Sequence, residues 1–252
     1  MYIIDTHTHL DDDRYDDILD EVLTNASNDG VKLHIIPGAD IKTLKKASNI
    51  ANKYDNVYYA AGVHPYDIAD FNLDYLRSFL DDKKCIAIGE CGLDYYRSPS
   101  EEEKALQKEV FIKQIELSIE KKLPLIIHIR DASADSLEIL KSYKEAFGVL
   151  HCFNASPILL ELSDRFYYGI GGVLTFKNAK NLVEILPKIR LDRLLIETDS
   201  PYLTPHPFRG TLNEPKYCTL VAQKMAELLN KSIEEITDLT TNNAKNLFKG
   251  LI

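Results

Sequence analysis

The chain opens Tyr2-Ile3-Ile4-Asp5-Thr6-His7-Thr8-His9-Leu10, a short apolar run followed at once by two histidines spaced two residues apart. Residues 2–5 read as a buried strand. Alternation along extended backbone then sends His7 and His9 to one face at its far end. Two imidazoles on one face grip a single divalent ion once other segments add ligands. H-x-H by itself is a short pattern that also arises in surface or hydrogen-bonded histidines. Its meaning therefore depends on what the rest of the chain delivers to the same place.

The pattern that begins there repeats along the whole sequence. Strand-like runs fall at 2–5, 31–36, 57–61, 85–89, 124–128, 148–152, 166–170 and 193–197. Helical spacing occupies 14–28, 40–53, 72–81, 101–121, 134–146, 157–164 and 178–188, with two more patterns at 214–229 and 232–248. Ser100 with Glu103, and Ser232 with Glu235, have the spacing of a capping box at a helix start. Short strands alternating with helices predict an α/β fold, a (β/α)8 TIM-type barrel, with an open doubly wound sheet as its rival. No Pro/Gly/Ser tract parts the 252 residues, so residues 1–252 are expected to form a single domain.

Composition narrows the class further. Hydrophobic residues at 45% and charged residues at 27% are ordinary globular values. No apolar run approaches the roughly 18 residues of a membrane span, and no signal-peptide pattern precedes Asp5. Cys85, Cys91, Cys152 and Cys218 are scattered without a C-x-x-C pair, which suits a reduced cytoplasm better than a disulfide framework. A net charge of −9 argues against a broad basic surface for nucleic acid. It leaves a phosphate substrate open, because bound divalent cations invert the local field.

In a parallel barrel, residues at the carboxyl ends of the strands gather around one bowl. His7 and His9 follow the first predicted strand, His64 the third, Glu90 the fourth, His128 and Arg130 the fifth, His151 the sixth and Asp199 the eighth. Five of the seven histidines thus stand at strand ends. Four imidazoles with two carboxylates exceed the needs of one tetrahedral ion and match a two-metal site with a bridging carboxylate. Glu90 is the expected bridge, between Gly89 and Gly92 in Gly89-Glu90-Cys91-Gly92. One ion would take His7, His9, Glu90 and Asp199, and the other Glu90, His128 and His151. Asp199 is also a candidate proton acceptor. His64 and Arg130 are read as substrate contacts, Arg130 gripping phosphate, and Tyr95, Tyr96 and Arg97 as an aromatic and cationic rim that stacks bases. His34 lies inside the second strand and reads as a hydrogen-bonded core residue. Asp11-Asp12-Asp13 reads as solvated acid.

With these residues placed, the chain resembles the TatD family of metal-dependent deoxyribonucleases, within the amidohydrolase superfamily. The carrying motifs are Asp5 to Leu10, Gly62 to Pro65, Gly89 to Tyr96, His128 to Arg130, His151 to Phe153, Glu197 to Pro205 and Phe208 to Pro215. The resemblance implies a TIM-type barrel, divalent metals in the bowl, and hydrolysis of DNA phosphodiesters, while the ligand types themselves favour zinc, manganese or nickel and permit magnesium. Its metal-ligand pattern falls on His7, His9, Glu90, His128, His151 and Asp199. Two stretches depart from it. Asn154-Ala155-Ser156 follows Phe153 where the family usually carries a glycine, and Thr211 and Leu212 stand where a basic pair is common.

The expected function is therefore a cytoplasmic, monomeric, metal-dependent nuclease acting on single-stranded DNA or DNA ends. Its 3′-to-5′ sense is implied by the resemblance alone. The alternatives are a metal-dependent hydrolase of an ester or amide, such as an aminoacyl-nucleotide ester, and a non-catalytic metal-binding protein.

Overall fold

A computed structural model describes residues 2–251. Eight strands form one sheet in the order of the chain, β1 (Ile3–Asp5), β2 (Val31–Ile36), β3 (Val57–Ala61), β4 (Cys85–Asp94), β5 (Leu125–Arg130), β6 (Gly148–Leu150), β7 (Phe166–Ile170) and β8 (Leu194–Ile196). Every adjacent pair is parallel. The last strand meets the first through Thr6 N–H to the Ile196 carbonyl (3.2 Å), Asp199 N–H to that of His7 (2.9 Å) and a bridge between Thr8 and Ser200. The sheet is thus a nearly closed (β/α)8 barrel, and the open-sheet alternative is set aside.

Alternation along the strands separates two cores. Ile4, Leu33, Ile35, Ile126, Val149 and Leu195 pack together inside the barrel. The intervening residues, among them Ile3, Ile36, Tyr59, Ile127 and Ile196, face the surrounding helices. Those helices are α1 (Leu19–Asn28), α2 (Leu44–Lys53), α3 (Leu73–Arg77), α4 (Glu101–Lys121), α5 (Ser133–Ser142), α6 (Lys180–Ile185), α7 (Cys218–Leu229) and α8 (Ile233–Leu247). Both capping boxes form, Ser100 with Glu103 on α4 and Ser232 with Glu235 on α8. The pattern at 157–164 becomes a 3-10 helix over Pro157–Leu162 rather than an α-helix. Ala244 and Leu247 of the last helix and Phe248 just after it join the inner core, and Thr241 donates a hydrogen bond to the Tyr2 carbonyl. That helix therefore packs on the amino-terminal end of the barrel and leaves the carboxyl end for chemistry.

Three further expectations change. The fourth strand runs on to Asp94, because a register shift between Ile88 and Cys91 against β5 inserts one extra residue and lets pairing resume. Gly92, at φ +144°, permits it: a Cβ there would lie 2.0 Å from the His128 carbonyl oxygen. His34 is fully buried, yet neither ring nitrogen has a hydrogen-bond partner among the described residues. Asp11 is buried and accepts a bond from Thr43 Oγ1 (2.8 Å), leaving Asp13 as the solvated member of its run. All four cysteines are free thiols. Among the described residues no helix is long and apolar enough to cross a membrane.

Candidate metal centre

The register shift in β4 places Glu90 at the floor of the bowl, 3% exposed. Its two carboxylate oxygens divide the surrounding donors. Oε2 faces His7 Nε2 at 3.3 Å and His9 Nε2 at 3.8 Å, and Asp199 Oδ1 stands 3.6 Å and 3.3 Å from those same nitrogens. Oε1 faces His128 Nδ1 at 3.1 Å, His151 Nε2 at 3.3 Å and His64 Nε2 at 3.8 Å. Five side chains from four other strand ends, and His64 from a fifth, thus meet around the Glu90 carboxylate. His7 and His9 lie just beyond β1 rather than within it. The chain stays extended there through bonds to β2 and to the segment after β8, such as Thr8 N–H to the Ile35 carbonyl (3.0 Å).

The donor chemistry fits divalent cations. His7 Nε2 and His9 Nε2 approach to 3.3 Å, and three groups, His7–Glu90–His151, His7–His9–Asp199 and His64–Glu90–His128, each converge within 4.8 Å. Imidazole nitrogens and carboxylate oxygens this close suit zinc or manganese, with magnesium tolerated by the carboxylates. Electrostatics keeps the acids ionised. Burial by itself would raise Glu90, but the surrounding His151, His7 and His128 hold its carboxyl well below the usual range. His9, His151 and His7 overcome burial at Asp199 in the same way. Burial pushes His64 down to about 4, so its ring is neutral near pH 7.

A further layer fixes these side chains, and the sequence reading assigned it no role. Glu197, fully buried, accepts from His151 Nδ1 (3.2 Å) and from the Cys152 amide (2.6 Å) through Oε1. Asp94 Oδ2 meets His128 Nε2 at 2.8 Å. Asp5 accepts from the amides of His7 (3.3 Å) and Thr198 (3.0 Å) and from Thr198 Oγ1 (2.6 Å), tying the first strand end to the last. Carboxylates on the outer nitrogen of a ligating histidine fix its tautomer and raise its basicity. The signal lay inside the motifs themselves: Asp5, Asp94 and Glu197 are the acids beside the histidines and carboxylates singled out there. Gly169 makes room for one of them, since a Cβ at that position would lie 2.1 Å from Glu197 Oε2.

Of the expected substrate contacts, His64 and Arg130 line the bowl and Tyr95 does not. Tyr95 packs against the outer core with its hydroxyl on Asp135 (2.8 Å). Its neighbour Tyr96 stands at the rim, 58% exposed, with the Arg130 guanidinium 3.5 Å from its ring centroid. Of the two tyrosines expected at the rim, Tyr96 stands there and Tyr95 turns inward, because adjacent side chains at a strand end point opposite ways. The departure after Phe153 has a backbone consequence too. Ala155 adopts φ +62°, the left-handed region glycine enters freely, and Asn154 pins the loop to the Ile129 carbonyl (3.2 Å) and Ser133 Oγ (3.1 Å).

The chain is similar to known proteins over almost its whole length. Residues 4–249 match the TatD related DNase family. The chain is 44% identical to the metal-dependent hydrolase YabD of Bacillus subtilis, covering 98% of this chain and 99% of that one. It is 38% identical to the metal-dependent hydrolase YcfH of Escherichia coli, over 98% and 96% respectively. Among solved structures, the Escherichia coli TatD homologue YJJV superposes with a TM-score of 0.89 at 28% identity, covering 98% of both chains. Family match, whole-length relatives and barrel agree, and the chain belongs to the TatD-related DNase family.

Proposed function

We propose that this metal-dependent hydrolase cleaves phosphodiester bonds of DNA, acting on single strands or strand ends with two divalent ions, magnesium, manganese or zinc. The observation that carries the reading is the division of donors between the two oxygens of Glu90. His7, His9, Asp199 and Glu90 would hold one ion, and Glu90, His128 and His151 the other. The chemistry that two ions held there would supply is a more acidic water and neutralisation of charge developing on a phosphoryl oxygen. Asp199, kept ionised by its histidine neighbours, accepts the proton of the attacking water. Neutral His64 and the Arg130 guanidinium orient the phosphate, Arg130 through paired N–H donors. A bowl recessed among loops receives a frayed end more readily than duplex interior. The family resemblance favours the 3′-to-5′ sense, and the four free cysteines accord with a reducing cytoplasm. A single chain carries the whole ligand set, which accords with a monomer.

End-labelled single strands incubated with a panel of divalent ions test bond type, polarity and metal preference together. Glu90→Ala should lower turnover by more than about a hundredfold while the fold is retained, because removing even an outer-layer partner of a metal ligand costs roughly 10- to 100-fold. Undiminished cleavage by the purified variant would overturn the bridge assignment. A second reading, hydrolysis of an ester such as an aminoacyl-nucleotide ester, is favoured by Asp40 and Asp67 beside the centre, which would attract an ammonium group. Parallel turnover of oligonucleotides and small acyl esters separates the two.

A further inference from the structure

The bowl continues into two lobes of opposite character that share His128, Arg130, His151, Asp199 and Tyr202 as a common wall. The lobe of about 490 Å3 is rich in acid, with Asp11, Asp12, Asp40 and Asp67 against Arg97. The other, about 630 Å3, opens beneath the segment between β7 and α6 and is walled mainly by carbon from Ile129, Phe153, Val173, Leu182 and Leu203. Its rim carries Asn178, Lys180 and Asn181, all exposed.

Each lobe selects by charge and shape. A phosphodiester chain running through the acidic lobe would meet carboxylates at close range, where like charges repel. The carbon-walled lobe has cations, Arg130 and Lys180, and neutral amides, but none of those four aspartates. Apolar walls with amides at the rim suit an uncharged group with apolar faces and a hydrogen-bonding edge. A nucleobase is such a group, and the shared wall puts it next to whatever phosphate sits at Glu90. We propose that the 630 Å3 lobe is a nucleobase subsite, seating the base that flanks the scissile phosphate while the strand's phosphates approach past Arg130 and Lys180. This rests on the phosphodiesterase reading above and adds the part of the substrate that the lobe holds.

The test compares the metal-loaded enzyme on matched strands that carry either a normal base or an abasic residue next to the scissile bond. A base-free small phosphodiester, methyl p-nitrophenyl phosphate, runs alongside. Stacked bases contribute enough that the abasic strand should lose roughly ten- to hundredfold in kcat/KM. In competition against the small ester, dAMP should bind more tightly than deoxyribose 5-phosphate by a similar factor. Ala179→Trp, which fills the lobe from the start of α6, should bring both ratios close to one. Circular dichroism of the variant checks its fold, and the dAMP comparison on the unmodified protein stands without it. Equal turnover of normal and abasic strands, or equal inhibition by the two competitors, would overturn the subsite and leave the phosphodiesterase reading intact. Hydrolysis of no phosphodiester at all would overturn that reading instead.

Discussion

Exchanging His34 for leucine should make the protein more resistant to acid, by an amount set by burial alone. The ring lies on the helix-facing side of β2, fully buried, with both nitrogens unpartnered among the described residues. Burial pushes its pKa from 6.5 down to about 3. The folded chain therefore takes up this proton less readily than the unfolded one. The neutral ring's contribution to stability is complete above pH 6.5 and is lost as the pH falls towards about 3. At about pH 5 the unfolded state has gained roughly 1.5 pK units of binding, which is about 2 kcal/mol. At about pH 7.5 the same quantity is close to zero. Leucine carries no such linkage, and it removes two buried ring nitrogens, so the variant should be at least as stable near neutrality. Calorimetric melting of both proteins in chelator, at these two pH values, reads the effect. For a chain of this size about 2 kcal/mol is a shift of roughly 4–8 °C, so the variant's advantage should grow by that much in acid. A difference in Tm that stays the same at both pH values would refute the argument, since it would mean that His34 titrates alike folded and unfolded.

Other perturbations probe the centre and its supports. Glu197→Gln should weaken metal binding roughly 10- to 100-fold in a calorimetric titration, because His151 Nδ1 loses a charged acceptor; unchanged affinity would leave the carboxylate a packing role only. Gly169→Ala should give a comparable loss without touching any candidate ligand, since its Cβ would lie 2.1 Å from Glu197 Oε2 and force that carboxylate to move. Arg130→Ala should raise KM for single strands roughly tenfold and flatten the salt dependence by about 0.7 in log–log slope, as expected for one lost phosphate contact. An unaltered salt slope would place Arg130 outside the phosphate path.

The barrel was legible because its cause is local. A parallel sheet wrapped by helices buries each strand on both faces, so every strand shows as an apolar run and every helix as a 3.6-residue repeat. The predicted runs at 31–36, 57–61 and 166–170 coincide with β2, β3 and β7. The same reasoning places five histidines at strand ends, and the structure gathers all five around Glu90. The centre could be read from a linear pattern because barrel topology converts position at a strand end into position in space.

What the sequence determined by itself was therefore the alternation of elements and the chemical type of the residues at their ends. Tertiary structure decided everything that depends on register and depth. One inserted residue in β4 aims Glu90 inward, and pairing against β5 carries that strand on to Asp94 beside His128. Tyr96 rather than Tyr95 reaches the rim. Glu197 and Asp5 act behind the donors through neighbours 46 and 193 positions away, and His34 is buried without a partner. Periodicity records which way a side chain points relative to its own backbone. It holds no record of which distant strand will lie opposite, so the second layer of carboxylates emerges only when the sheet closes.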